Sequence, residues 1–212
     1  MFYPIRNGIL YVLLFLVYIN PVFSMDLPKP DKTGGKPLMQ ALSERKTNRD
    51  FQDKALSEQM LSNLLWAAFG VNRDDSGKRT APSARNWQEI DIYAAMEDGL
   101  YLYDAESHSL RKIHSEDIRN KTGLQGFTKD APVCLVFVAD YKKMGSIPQK
   151  NKDFYSAINT GYISQNVYLF CASEGLSTVA LGMVNKDGLA KKMQLEGHQN
   201  IIITQPVAFP GS

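Results

Sequence analysis

Five consecutive polar residues, Arg45-Lys46-Thr47-Asn48-Arg49, bring three cations and a hydroxyl close together. They follow a segment with helical periodicity and enter one that looks extended, where alternate side chains share a face. Thr47 and Arg49 can therefore point the same way while Arg45 reaches from the last helical turn. Guanidinium donors and a hydroxyl suit a phosphate monoester. The helix dipole also favours cations at a helix C-terminus, so the cluster alone is compatible with a solvated surface.

A second polar segment, Pro82-Ser83-Ala84-Arg85-Asn86-Trp87-Gln88, closes a turn-rich loop over residues 71–86. The Asn and Gln side chains each present one acceptor and two donors in a plane. That arrangement suits the edge of a heteroaromatic ring with carbonyl and N–H groups. The same residues are also ordinary turn chemistry. A loop of this length in a compact domain is more often functional than idle.

Two further segments combine glycine with polar side chains. Gly161 and Gln165 lie four residues apart on the longest helical candidate, so they share a face and would allow close approach of a backbone. Polar residues in such a helix also commonly satisfy neighbouring backbone groups or lie at a subunit interface. The other segment runs from Gly175 to Gly182 and is a helix terminator followed by a strand of small residues.

In this order the four segments resemble the nitroreductase family. Arg45 to Phe51 is similar to the family's opening motif, R-[RKH]-[ST]-x-[RK]-x-F, and Pro82 to Gln88 is similar to its P-S-x-x-N-x-Q segment. Gly161 to Leu176 resembles its central helix, G-x-x-x-Q-N-x-x-L leading to E-G-L. The closing I-I-I-T-Q-P-V-A-F-P resembles its last strand. The likeness spans about residues 37–210.

The resemblance implies a homodimer with FMN at each of two subunit interfaces. Four residues would hold the FMN phosphate and ribityl chain: Arg45, Lys46, Thr47 and Arg49. Five others would surround the flavin ring: Ser83, Asn86 and Gln88 from the partner subunit, with backbone groups of Leu181 and Gly182 near N5. The flavin would exchange hydride through N5 with a small nitro-aromatic or quinone-like acceptor, so no catalytic side chain is expected.

The sequence departs from the family pattern in two respects. No Lys or Arg follows Lys192, whereas many members place a basic residue after the last strand to contact the phosphate. The family's usual reductant, NAD(P)H, is a cytoplasmic metabolite, and the N-terminus described below predicts export. The FMN phosphate would therefore need another contact, and the electron donor outside the cytoplasm stays open.

Two alternative functions remain open beside the small-acceptor oxidoreductase. One is a nitroreductase-like dehydrogenase that oxidises azoline rings in modified peptides, which would need an open groove. The other is a non-catalytic flavin-binding or cofactor-free interaction protein, which the missing C-terminal cation favours. The converging cations of Arg45 to Arg49 argue against that second alternative.

The segments that must position these residues mix helices and strands without regular β-α-β alternation, which predicts an α+β class. The resemblance refines this to a central, mainly antiparallel sheet flanked by helices. Predicted helices cover 37–45, 57–69, 115–120, 153–174 and 186–193, and predicted strands cover 90–96, 100–103, 110–113 and 131–139. Residues 177–184 read as a strand or extended segment. Pro206 is expected to interrupt a closing strand over 201–209, and residues 141–152 are a candidate cover for the site.

The composition fits one globular domain. The chain has 212 residues, 44% hydrophobic and 22% charged, with a net charge of +2 that is too small to indicate nucleic-acid binding. Cys134 and Cys171 lie in apolar patterns and are interpreted mainly as buried free thiols, although export would permit a disulfide. No metal site is predicted, because the three histidines and two cysteines lack ligand spacing.

The N-terminus predicts a secretory signal peptide over residues 1–24. Arg6 precedes the uninterrupted apolar run 9–19, and Val22 and Ser24 are small residues at positions −3 and −1 of a cleavage site. An eleven-residue run is too short to span a membrane core of about 30 Å, although an uncleaved anchor stays possible. Residues 25–36 are expected to be a flexible lead, followed by the FMN-binding domain over 37–212. This arrangement predicts an exported, periplasmic protein with no stable membrane span in its mature form.

Overall fold

A computed structural model describes residues 24–211 of the chain. All of the predicted signal peptide except Ser24 lies outside the described residues. The strands are β1 (Ser24–Asp26), β2 (Phe51–Gln52), β3 (Val71–Arg73), β4 (Lys78–Arg79), β5 (Ile90–Met96), β6 (Gly99–Asp104), β7 (Ser109–His114), β8 (Val133–Asp140), β9 (Ser177–Thr178) and β10 (Gln199–Pro210). The α-helices are α1 (Leu38–Glu44), α2 (Glu58–Phe69), α3 (Gln149–Glu174) and α4 (Lys186–Lys192).

One large antiparallel sheet organises the domain. Its order is β1-β7-β6-β5-β8-β10-β2, with β9 also paired to β10, while β3 and β4 form a separate hairpin. Each of the pairings in the described part of the chain is antiparallel. The predicted α+β class with a mainly antiparallel sheet flanked by helices is confirmed.

Strand β8 is continuously apolar from Val133 to Ala139, because this part lies at the centre of the sheet with both faces covered. Leu135 and Phe137 point into the core on the side of α2 and α3. Val136 and Val138 point into a second core on the side of α4. A strand between two layers needs apolar residues at every position, and this run is fully buried.

Helix α2 begins and ends where the sequence predicts. The Ser57 side chain accepts a hydrogen bond from the Met60 N–H, which satisfies one of the free donors at the helix start. The helix ends at Gly70, where the backbone passes close to the Trp66 ring. A Cβ at this position would lie 2.4 Å from that ring. Helix α3 packs along α2 and the sheet and ends at Gly175, whose backbone is left-handed (φ 71°).

Three predicted elements differ from the structure. Residues 115–120 are not an α-helix, because the Asp117 carboxylate accepts from the Arg119 N–H and competes with helical bonding. Strand β10 continues through Pro206, whose neighbours pair with β8 on either side and whose carbonyl accepts from the Thr178 hydroxyl. The loop over 71–86 contains the β3–β4 hairpin.

The segment predicted to cover the site is mostly helical and mostly exposed. Residues 141–144 form a short 3-10 helix in which Tyr141 and Met144 are buried. Helix α3 begins at Gln149 directly after Pro148, four residues earlier than predicted. A proline can precede the first helical turn without losing a needed N–H, which explains the earlier start.

The start of the described chain is anchored to the domain, unlike the flexible lead that its composition predicts. Strand β1 pairs with β7, and Leu27 is buried in the core. Further along, the Asp31 N–H donates to Asn63 Oδ1 (2.8 Å) and the Lys36 N–H donates to Ser173 Oγ (2.7 Å). No helix within residues 24–211 is long and apolar enough to cross a membrane.

Both cysteines are free and buried, as the preferred interpretation of the sequence predicts. Cys134 lies in the core on the α4 side of the sheet, and Cys171 lies in the core on the α2 and α3 side. Burial raises the pKa of the Cys134 thiol to about 12, which keeps it protonated and unreactive.

Candidate cofactor site

The segment Arg45 to Arg49 begins where α1 ends. Arg45 leaves helical geometry (φ −55°, ψ 120°), so the chain continues extended along the C-terminal half of α3. The Arg45 guanidinium lies over the Tyr168 ring, 5.3 Å from its centroid. The Thr47 and Tyr168 hydroxyls are 3.1 Å apart and share a hydrogen bond. The structure therefore brings Arg45 and Thr47 together on one aromatic side chain.

The same tyrosine connects this segment to the strand that follows α3. The Ala180 N–H donates to the Tyr168 hydroxyl over 2.9 Å. A second link comes from Asn48, whose side-chain amide donates to Ser177 Oγ (2.7 Å) and whose N–H donates to the Thr178 carbonyl (3.1 Å). The segment predicted to hold the FMN phosphate is thus hydrogen-bonded to the segment predicted to lie near N5 of the flavin.

Lys46 and Arg49 occupy different positions from Arg45 and Thr47. Lys46 lines a cavity of about 450 Å³ that Asn48 and Pro210 also line. Arg49 is exposed. The nearby Glu44 carboxylate is paired with Lys36, and this hydrogen bond lowers the pKa of Glu44. Its negative charge is therefore balanced by Lys36 and leaves the neighbouring cations free to attract an anion.

Leu181 and Gly182 differ in what their backbones can offer. The Leu181 N–H donates to the Thr204 carbonyl (2.8 Å), and its carbonyl accepts from the Thr204 N–H (3.1 Å). The Gly182 N–H has no protein partner among the described residues, and the space where its Cβ would lie is open. Of the two residues predicted to present backbone groups to N5, only Gly182 has a free N–H.

The second predicted segment lies near the N-terminal half of α3 and is cross-linked by hydrogen bonds. Ser83 Oγ accepts from the Gln88 N–H (2.8 Å) and donates to the Glu89 carboxylate (3.2 Å). Glu89 is fully buried and also accepts from the side-chain amide of Asn159 (2.8 Å). Asn159 in turn accepts from the Ala84 N–H. The loop is held to α3 through one buried carboxyl group.

Gln88 has no free hydrogen-bonding group on its side chain. Its oxygen accepts from Arg79 Nε (2.9 Å), and its amide donates to the Gly77 carbonyl (3.0 Å) and to Asn86 Oδ1 (3.1 Å). Asn86 itself is exposed. The structure therefore makes Gln88 part of the loop's own framework and leaves Asn86 facing outward.

The backbone of this loop is strained. Arg85, Asn86 and Gln88 have φ values of 53°, 57° and 48°. Left-handed backbone is costly for residues with a Cβ, and it persists where surrounding contacts fix it, often at functional sites. The Glu89 hydrogen bonds supply those contacts here.

The two predicted halves of the site are separate within one chain. Tyr168 anchors the first and Asn159 anchors the second, and nine residues of helix separate them by about 13 Å. Arg45 and Thr47 therefore lie together with the 180–182 segment. Ser83, Asn86 and Gln88 lie together elsewhere.

Two residues of this arrangement have no assigned role in the sequence motifs: Glu89, and Tyr168 within the segment Gly161 to Leu176. Their partners lie up to 121 residues away along the chain. The only sequence signal for them is a polar atom at a position where the surrounding pattern is apolar.

A Ser–His pair elsewhere in the chain has a structural role. His108 Nε2 lies 2.7 Å from Ser62 Oγ, and His108 Nδ1 lies 2.9 Å from the Tyr103 hydroxyl. Ser62 is fully buried, and its hydroxyl donates to the Pro28 carbonyl. This serine is committed to the N-terminal segment and is closed to a substrate. Among residues 24–211, no group of three or more metal-ligating side chains could hold a metal ion.

The sequence matches the family model named Nitroreductase family over residues 42–209. A protein described as a nitroreductase from Methanocaldococcus jannaschii is 32% identical over 169 residues, which cover 75% of this chain and 84% of that protein. The chain therefore belongs to the nitroreductase family and is an oxidoreductase of that family.

Two solved structures show the same fold. One, described as a nitroreductase from Ralstonia eutropha JMP134, is 42% identical with a TM-score of 0.86 over 89% of this chain and 90% of that chain. The other is the NADPH:FMN oxidoreductase of Vibrio harveyi in complex with NAD⁺, which is 16% identical with a TM-score of 0.63 over 82% of this chain and 69% of that chain.

Proposed function

We propose that the chain is an FMN-dependent oxidoreductase that passes electrons to a small nitro-aromatic or quinone-like acceptor and acts as a homodimer. The observation that carries this proposal is the Tyr168 junction. It joins Arg45 and Thr47, which suit a phosphate, to Ala180, which is two residues from the free Gly182 N–H. An elongated ligand with an anionic end and a polar ring would match both features.

The residues present fit FMN. Two guanidinium groups and a hydroxyl provide charge-assisted donors for a dianionic phosphate. The Gly182 N–H has no protein acceptor among residues 24–211, and no atom lies within 4 Å of where a Cβ of this residue would be, so the N–H remains available to a ring nitrogen. When bound there, FMN would supply the hydride chemistry, and the protein would bind and orient it.

Each site residue then has a specific task. Arg45 and Thr47, both held by Tyr168, would bind the phosphate, and Arg49 would add its charge from the exposed surface of the same segment. Gly182 donates its N–H near N5. Leu181 supports Gly182 by pairing with Thr204 and itself contributes no free N–H.

Two lysines lie near the end of the last strand, where the sequence lacks the expected cation. Lys46 lines the same cavity as Pro210. Lys54 Nζ lies over the Phe209 ring, 4.5 Å from its centroid. We assign the missing phosphate contact to Lys54, because Lys46 already belongs to the set predicted to hold the phosphate and ribityl chain.

The separation of the two halves of the site supports the proposed homodimer. Within one chain, the loop that carries Asn86 is attached to α3 at Asn159, about 13 Å along the helix from Tyr168, which holds Arg45 and Thr47. A second copy can bring its own Asn86 to the flavin while the first copy holds the phosphate.

The reductant and the location remain proposals. NAD(P)H is the family's usual donor, and the N-terminal signal peptide directs the protein to the periplasm. If both hold, a donor other than NAD(P)H reduces the mature enzyme. Reduction assays with NADH, NADPH and dithionite, together with fractionation of cells expressing the full chain, address these two points.

The first test is the visible spectrum of the purified protein during titration with FMN. Wild-type protein should bind FMN, and Arg45→Ala with Arg49→Ala should weaken binding by well over tenfold. Each lost charge-assisted bond to phosphate is worth about 1.5–3 kcal/mol. Gel filtration at the same concentrations reports the dimer.

The matched control is Arg73→Ala with Arg111→Ala, which removes two exposed arginines outside the proposed site. That variant should bind FMN like the wild type. A colourless protein that takes up no FMN at high micromolar concentration would favour the interaction-protein alternative over the oxidoreductase.

A further inference from the structure

Arg85 lies at one end of a row of aromatic side chains that contact one another edge to face. Its guanidinium lies over the Trp87 ring, 5.6 Å from the centroid. Trp87 meets Tyr155 edge to face at 5.6 Å, and Tyr155 meets Phe154 edge to face at 5.3 Å. We call Trp87, Tyr155 and Phe154 the aromatic ladder. It joins the strained loop to the first turns of α3.

The ladder and its arginine are accessible. Phe154 is 59% exposed and Tyr155 is 36% exposed. Trp87 is half-buried and Arg85 is exposed. An aromatic ligand can therefore reach ring faces and edges here without any opening of the domain.

The Arg85 donors are unused. Among residues 24–211, Arg85 donates no hydrogen bond and has no carboxylate within 4 Å, unlike Arg79 and Arg119. The contact with Trp87 uses none of the guanidinium N–H groups in a hydrogen bond, so these donors stay free for a ligand. Such a group binds planar anions, with carboxylate as the matching partner.

The position of Arg85 is fixed by strain and by the buried network beneath it. Its left-handed backbone (φ 53°) is held by the Ser83, Glu89 and Asn159 hydrogen bonds. A surface arginine without a role would not need this geometry, because a flexible loop would solvate it equally well. Strain of this kind marks positions where a particular orientation matters.

We infer that Arg85 and the aromatic ladder form a binding surface for flat, anionic aromatic electron acceptors. The carboxylate of the ligand pairs with Arg85, and its ring packs against Trp87 and Phe154. This inference rests on the proposed function, because it names the substrate class of that oxidoreductase. It also gives the loop a role beyond flavin contact: the loop selects acceptors by charge.

Tryptophan fluorescence provides a direct test, because the chain has two tryptophans, Trp66 and Trp87. Trp66→Phe leaves Trp87 as the only reporter, and Trp87→Phe leaves Trp66 as the matched control. The probes are 4-nitrobenzoate and the neutral 4-nitrobenzamide, which have the same ring and similar size. Binding is measured in FMN-free protein and again after FMN is added.

4-Nitrobenzoate should quench Trp87 saturably and bind about tenfold more tightly than the amide, the ratio that one charge-assisted hydrogen bond provides. Arg85→Gln should abolish this preference and leave amide binding unchanged. Arg111→Gln, at an exposed arginine on β7, should preserve the preference. Phe154→Ala should weaken both probes by roughly threefold through loss of an aromatic contact.

Equal affinity for the acid and the amide would overturn the inference, as would equal quenching of Trp66 and Trp87 or an equal loss in Arg111→Gln. These failures differ from failure of the proposed function. A protein that binds FMN but shows no charge preference loses this inference alone. A protein that binds no FMN but keeps the preference retains the surface and loses the oxidoreductase role.

Discussion

The segment Arg45 to Arg49 and the loop Ser83 to Gln88 are both short and polar, yet their hydrogen bonds go to different places. In the first segment, Lys46, Thr47 and Arg49 are exposed, and Thr47 has one side-chain contact, to Tyr168. In the loop, Ser83 and Gln88 are bonded within the same subunit, and the adjoining Glu89 is fully buried. The first segment leaves most of its side-chain donors available to a ligand. In the second, which we call the scaffold, Ser83, Gln88 and Glu89 use their side-chain groups within the protein.

This difference shows how a motif divides between ligand contact and support. A polar group can bind a ligand only if the protein does not already use its donors and acceptors. In the loop, that condition selects Arg85 and Asn86, which lie at its exposed tip. Ser83 and Gln88 form hydrogen bonds within the loop and to Glu89, which supports the left-handed geometry of those two residues.

The largest effect is expected at the buried centre of the scaffold. Glu89→Ala should lower the free energy of unfolding by about 3 kcal/mol, because it leaves the Asn159 amide and the Ser83 hydroxyl buried without their acceptor. Urea denaturation measures this loss. Glu106→Ala, at an exposed glutamate, should change it by less than about 0.5 kcal/mol. Similar losses in the two variants would mean that the Glu89 network does not hold the loop.

The sequence predicts much of the fold because several elements carry local signals. Ser57 and Gly70 delimit α2, and the apolar run of β8 identifies a strand covered on both faces. The prediction fails at residues 115–120, where helical periodicity is present but the Asp117 side chain takes the backbone N–H of Arg119. A local side-chain bond of this kind is invisible to periodicity.

The candidate site is harder to predict from the sequence than the fold, because distant residues decide which polar groups are already hydrogen-bonded. Leu181 loses its free N–H to Thr204, and the Ala84 N–H is taken by Asn159, 75 residues later. The motifs identify the segments but cannot distinguish Leu181 from Gly182. The motifs give Tyr168 no role, because its partner Thr47 lies 121 residues earlier in the chain.

Loss of the Tyr168 hydroxyl should weaken FMN binding by the segment Arg45 to Arg49. Tyr168→Phe removes the acceptor of the Ala180 N–H and the partner of Thr47, while the ring remains beneath Arg45. FMN affinity should fall about tenfold, the effect of roughly one hydrogen bond, and stability should fall by about 1 kcal/mol. Quenching of FMN fluorescence measures the affinity. Tyr162→Phe, at an exposed tyrosine of the same helix, should change neither quantity.

The smallest effect is expected at the tip of the loop, and it sharpens the distinction between scaffold and ligand contact. Asn86→Asp keeps an oxygen for the Gln88 amide and a residue type that tolerates left-handed backbone, so stability should change by less than about 0.5 kcal/mol. It removes the two amide donors, so FMN affinity should fall about threefold, within the range of one neutral hydrogen bond. Asn120→Asp, at another exposed asparagine, should leave both unchanged. A stability loss in Asn86→Asp without a change in FMN affinity would assign Asn86 to the scaffold, and the ligand-facing part of the loop would then reduce to Arg85.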